Sequence, residues 1–282
     1  MKFINIICLL VFILFGCQSN TSFNYSNSTL LPNASGENNE MLIVMDSTKF
    51  KGKIGRLLVG TYGSYINGLP QPENNFDLIF IRPRNFNSIL KYAKNIVVAF
   101  SLEGNSLDSK ILRKEFNEKS IDKIKSDTSI FFFKRKDQYA KGQTILYLFS
   151  KTDNELINKI KKNKKMLLKY FQNEVSIRTS KKIFSKVEAN ISNKLFNDHR
   201  IKIKIPFGYD LAKNNNNFFW LRYLEPDHEK NIFVYYEDYV DNKFKHFGDF
   251  VQEKNIEKIK KKISLKYLKD SEKPEIYMSI QT

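Results

Sequence analysis

The sequence predicts an α+β fold: mainly antiparallel sheets packed with amphipathic helices, arranged as two similar strand–helix–strand halves. Two observations lead there. Short apolar runs bounded by turn residues alternate with segments of helical period, but without the strict βαβα order of a parallel α/β protein. Hydrophobic residues make up 41% of 282 residues, enough to bury the core of one large domain or two small ones.

The chain opens with an address. Lys2 is a minimal positive region, and Ile6 to Phe15 is an unbroken apolar run of ten residues. A membrane-spanning helix needs roughly 20, so ten suits the hydrophobic part of a signal peptide. Leu14-Phe15-Gly16-Cys17 then has the form of a lipobox. Leu14 stands three before the cysteine, and Gly16 leaves room for the peptidase at the scissile bond. Cys17 would take the lipid. Phe15 is bulkier than the usual small residue. Two or three acyl chains on one cysteine hold a protein firmly, because each buried methylene contributes about 0.8 kcal/mol. Residues 1–16 therefore read as a lipoprotein signal peptide and 17–40 as the lipidated cysteine and a flexible tether. Residues 18–40 are rich in Asn and Ser and poor in core formers. Gln18 after the cysteine favours the outer membrane, facing the periplasm.

The first α+β half is read over 41–150. Met41 to Met45 is a buried strand ending at Asp46, after which Ser47 or Thr48 caps a helix carrying Phe50, Ile54, Leu57 and Leu58. Phe76 to Ile81 and Ile96 to Leu102 read as strands, Leu107 to Phe116 as a helix, and Ile130 to Phe133 and Thr144 to Phe149 as two further strands. A basic helical connector spans 151–198. Thr152 to Glu155 has capping-box spacing, and the helix it opens places Leu156, Ile157, Ile160, Leu167, Leu168 and Phe171 on one face. The second α+β half is read over 199–282. Ile201, Ile203 and Ile205 alternate with lysines as a half-buried strand. Phe218 to Leu224 and Ile232 to Tyr236 form a hairpin, and Ile256, Ile259 and Ile263 mark a last helix.

Several segments together are similar to a known family. They are MLIVMD from residue 41, LPQPENNFDL from 69, KNIVVAF from 94, YAKGQTILYLFS from 139, IPFGYDLAKNNNNFFWLR from 205 and NIFVYYEDY from 231. The chain resembles the domain of unknown function 4837, a family of uncharacterised Bacteroidetes envelope lipoproteins, over most of 31–270. The resemblance implies a lipoprotein signal and an α+β body, and it brings no catalytic residues. Members continue with sheet-forming sequence past the equivalent of Tyr277, so a C-terminally shortened second half is expected.

Charge and chemistry set the remaining expectations. The formal net charge is +17, suited to an anionic polymer or lipid. The heavy use of Lys, Asn, Ile and Phe also matches an AT-rich coding genome. Both cysteines, Cys8 and Cys17, lie at the start, so no disulfide framework or thiolate metal site follows. His199, His228 and His246 have no metal-binding spacing. Neither a nucleophile elbow nor a phosphate loop is present, and no cofactor is expected. Asp46 and Glu103 end strands and form a candidate acid/base pair, although strand-end carboxylates more often cap helices. Trp220 is a candidate groove-lining residue, with core packing as the alternative.

The expected role is a lipid-anchored envelope protein of binding or assembly type, with an envelope protein or anionic polymer as partner and no nucleic acid. The alternatives are a carboxylate-based periplasmic hydrolase and a protein that binds anionic membrane through helices 153–171 and 254–269.

Overall fold

A computed structural model describes residues 31–69, 71–238 and 253–268. The fold is α+β. The first unit is built on a five-stranded sheet of order β2-β1-β3-β5-β4, with β1 (Glu40–Met45), β2 (Asp77–Ile81), β3 (Asn95–Ser101), β4 (Phe132–Lys136) and β5 (Thr144–Ser150). The pairs β1–β2, β1–β3 and β3–β5 are parallel, and only edge strand β4 runs antiparallel. The expectation of mainly antiparallel sheets therefore fails in this half. The reason is burial on both faces. β3 and β5 are buried at every position, as in parallel sheets covered by helices on each side.

Side-chain alternation sorts these strands into two cores. Met41, Ile43 and Met45 of β1 join Val97, Ala99, Leu146 and Leu148 on one face. Leu42 and Val44 join Ile96, Val98, Phe100, Ile145, Tyr147 and Phe149 on the other. The first face is covered by α2 (Lys53–Tyr62), through Ile54, Leu58 and Tyr62, and by α5 (Asp153–Ile183), through Leu156, Ile160, Leu167 and Phe171. The second is covered by α3 (Leu107–Lys114), α4 (Glu118–Ser126) and the 82–94 connection, through Leu112, Ile124, Phe86 and Leu90. Each fully buried Leu, Ile or Phe contributes about 1.5–3 kcal/mol. The chain thus leaves β1 over one face and β3 over the other, which is a doubly wound arrangement. Lys134, Arg135 and Lys136 on edge strand β4 discourage further strand pairing.

Two local expectations change at the first helix. Its cap is Asp46, not Ser47 or Thr48: the Asp46 side chain accepts from the Thr48 and Lys49 amides. The helix is also interrupted at Gly52, giving α1 (Ser47–Lys51) and then α2. Gly55 stands so close to the Phe50 carbonyl that no β-carbon fits between them. The capping-box reading of α5 holds, with the Thr152 hydroxyl accepting from the Glu155 amide at 3.2 Å. At the far end of α5, Arg178 donates to Asn95 Oδ1 at 2.5 Å and to Thr144 Oγ1 at 3.3 Å, where β3 and β5 begin.

The second unit has a different plan from the first, so the expectation of two similar halves is not met. A three-stranded antiparallel sheet joins β6 (Asp210–Asn215), β7 (Phe218–Leu224) and β8 (Glu229–Tyr235) in that order. The predicted β7–β8 hairpin is present. Leu195 and Ile191 of α6 (Ala189–His199) pack with Phe219, Leu221 and Val234 on one face. Ile263 and Tyr267 of α7 (Glu253–Tyr267) pack with Phe218, Trp220 and Phe233 on the other. Ile201, Ile203 and Ile205 do point into this core, but the segment makes no strand. Among the described residues its backbone pairing lies beside Val187, as an isolated bridge through Pro206. β6, mostly polar, is an element the sequence reading did not find. Gly208 has φ +94°, and a side chain there would strike the Tyr223 ring.

Candidate functional site

In a doubly wound sheet, the crevice at the carboxyl ends of the strands, where the chain changes face, is the place where ligands bind. Here that place lies between the ends of β1 and β3. β1 delivers Asp46 and β3 delivers Ser101, while the start of α5 adds Asp153 and α1 adds Lys49.

Asp46 is 3% exposed. Its Oδ1 accepts from Thr48 N at 2.8 Å, Thr48 Oγ1 at 2.6 Å and Lys49 N at 3.4 Å. Its Oδ2 accepts from Ser109 Oγ at 3.0 Å and from the Ser106 hydroxyl. Burial alone would raise its pKa. The hydroxyls of Ser106 and Thr48, the Thr48 amide and the Ser109 hydroxyl outweigh burial and hold the carboxyl well below the usual carboxylate range. A carboxylate fixed in this way is a helix cap that also ties α1 to α3.

A second network adjoins it. Lys49 Nζ donates to Ser101 Oγ at 2.6 Å and is ion-paired with Asp153 Oδ1 at 2.5 Å. Ser101 Oγ donates to the same Asp153 oxygen at 2.5 Å. Glu103 Oε1 accepts from Asp153 N at 2.7 Å, so the other predicted carboxylate caps the start of α5. Asp46 and Glu103 thus serve two different helix starts.

The Ser101–Lys49–Asp153 arrangement has the composition of a nucleophile with its helpers, but its serine is buried while the Asp153 side chain is partly exposed. Ser101 is 0% exposed. Its oxygen is held between Lys49 Nζ and Asp153 Oδ1. The cluster joins β1, β3 and α5 at one end of the sheet, as Arg178 does at the other.

The remaining sequence candidates are placed as follows. Trp220 is part of the second core: its ring lies 5.5 Å from that of Phe233, and Nε1 donates to Asn231 Oδ1 at 2.6 Å. His228 sits at the β7–β8 turn, where it pairs with Glu225. His199 is 7% exposed. Its ring nitrogens lie 2.5 Å from Asn214 Oδ1 and 2.9 Å from Tyr236 Oη, a polar core contact that sequence spacing gave no means of finding. Leu14, Gly16, Cys17 and His246 lie outside the described residues. Among the described residues, no group of three or more His, Cys, Asp or Glu side chains is placed to hold a metal ion, and no helix is long and apolar enough to cross a membrane.

Comparison with known proteins divides the chain where the structure does. Residues 34–184, the first unit, match the family described as Domain of unknown function (DUF8532). Residues 188–282 match Domain of unknown function (DUF4837). The DUF4837 resemblance is therefore confirmed for the second unit, while the first unit, which the sequence reading also assigned to that family, matches the other. No curated protein and no solved structure matches the chain.

Proposed function

Starting from a chain that belongs to the DUF8532 family, with a DUF4837 domain behind it, we propose a lipid-anchored cell-envelope protein that acts as a binding or assembly module rather than as a catalyst. The observation that carries this reading is the ten-residue apolar run Ile6 to Phe15 with Gly16-Cys17 after it, followed by a polar stretch. The tether is shorter than the expected 17–40, because Asn33 and Ser35 already pair with Lys141 and Ala93 of the first unit. In this reading signal peptidase exposes Cys17, acyl chains hold it in the outer membrane, and the body faces the periplasm. The crevice at the sheet end supports the non-catalytic part, because Lys49, Ser101 and Asp153 bond to one another, while Asp46 is bonded by Thr48, Ser106 and Ser109. The partner is an envelope protein or an anionic polymer.

Labelled palmitate tests the anchor: incorporation into the native chain and its loss in Cys17→Ala support it, and equal labelling of both removes it. Crosslinking in intact envelopes tests the binding role, and recovery of nothing specific counts against it. A second reading, binding to anionic membrane, is favoured by Lys161, Lys162, Lys165 and Lys169, which are exposed along α5. It requires liposome binding that weakens with salt and with loss of anionic lipid.

A further inference from the structure

The sheet face covered by α3 and α4 holds an open cavity. It measures about 210 Å³ and lies between α4, β4 and β5. Its apolar walls are Phe116, Ile124, Ile130, Phe133 and Phe149, and its polar lining is Ser120 and Lys123. Phe116 also borders a wider cleft of about 600 Å³, where Lys110, Arg113 and Lys114 at α3 face Glu118 and the Asp122–Lys125 pair of α4, leaving a net positive lining.

Size and lining limit what fits. An apolar cavity of about 150 Å³ stays dry and takes a molecule such as benzene. Sites for drug-sized ligands span roughly 300–1,000 Å³. The cavity falls between these, too small for a nucleotide or a peptide side. Ring faces and branched aliphatics give sugars and bases few hydrogen bonds, whereas they suit an alkyl chain. Lys123 is exposed at the lip, with the basic cleft beside it. Asp127 is nearby, but its carboxylate accepts from Ser129 N at 2.9 Å and Ser129 Oγ at 2.6 Å.

We propose that this cavity binds the end of an alkyl chain carrying an anionic head, a straight-chain carboxylate being the simplest such ligand. The chain lies against Phe116, Phe133 and Phe149, and the head meets Lys123. This names a ligand class for the binding-module reading and rests on it. It does not need the envelope address.

Isothermal titration of the full chain carrying Cys17→Ser removes competition from its own acyl groups. The probes are hexanoate, octanoate and decanoate below their micelle concentrations, decyltrimethylammonium as the cation of equal chain length, and dioctanoylphosphatidylglycerol as a membrane-lipid source of the same chemistry. Affinity is expected to rise about fourfold per methylene until the cavity is full. The cation should bind at least tenfold more weakly than decanoate. Lys123→Glu should lose about tenfold for decanoate with an unchanged thermal midpoint, and Ser120→Trp, which fills the cavity from α4, should abolish binding. Should Ser120→Trp not fold, the Lys123→Glu and chain-length arms decide. Competition by the phosphatidylglycerol assigns the chain to membrane lipid, and binding without competition assigns it to a free carboxylate; both support the site. Affinity that ignores chain length, equal binding of cation and anion, or full binding by folded Ser120→Trp overturns it. Failure here alongside a specific crosslinked partner defeats only the ligand class.

Discussion

Asp46 shows how far a single residue can be read from sequence. Its place at the end of an apolar run marks it as a strand terminus, and capping was the commoner reading for such a carboxylate. The Thr48 and Lys49 donors are local cap bonds, but that it also gathers Ser106 and Ser109 depends on β1 and β3 being neighbours, which no local pattern states. Asp46→Asn leaves an amide donor facing these hydroxyls and should cost about 1–3 kcal/mol in urea unfolding at neutral pH. The sign of the pH dependence follows from the depressed pKa. The folded carboxyl stays ionised to lower pH than the unfolded one, whose pKa is about 3.9. Its contribution is complete above that value and is lost as pH falls through it toward the folded-state value. The stability gap between wild type and Asp46→Asn should therefore narrow from pH 5 to pH 2, and a constant gap would contradict the hydrogen-bonded carboxylate.

At the scale of elements, what was legible is what depends on neighbours in sequence. The capping box before α5, its apolar face and the β7–β8 hairpin are all local patterns, and all are present. The alternation of Ile201, Ile203 and Ile205 gave the correct inward side but not the pairing, because a ladder needs a partner that sequence alone does not supply. Two substitutions test the helix junctions. Gly55→Ala places a β-carbon against the Phe50 carbonyl and should cost about 3 kcal/mol, measured by chemical unfolding. Arg200 ends α6 in the left-handed region at φ +58°, a position glycine takes without strain. Arg200→Gly should stabilise the protein by about 1 kcal/mol, read as a higher urea midpoint with an unchanged slope.

At the scale of the whole molecule, the parallel order of the first sheet was the main thing missed. The runs MLIVM, NIVVAF and TILYLF carry no polar alternation, and that is the mark of strands buried on both faces. The irregular order of helices and strands hid it: the 82–94 connection crosses the sheet with only short 3-10 turns, and β4 intrudes between α4 and β5. The second unit, a small sheet between two helices, was closer to expectation. The position of the body relative to the membrane turns on Cys17 and the tether. The most direct test is mass spectrometry of the native polypeptide's N-terminus. A mature chain beginning at Cys17 and carrying two or three acyl groups is the predicted result; an intact Met1 with an unmodified Cys17 thiol would contradict it.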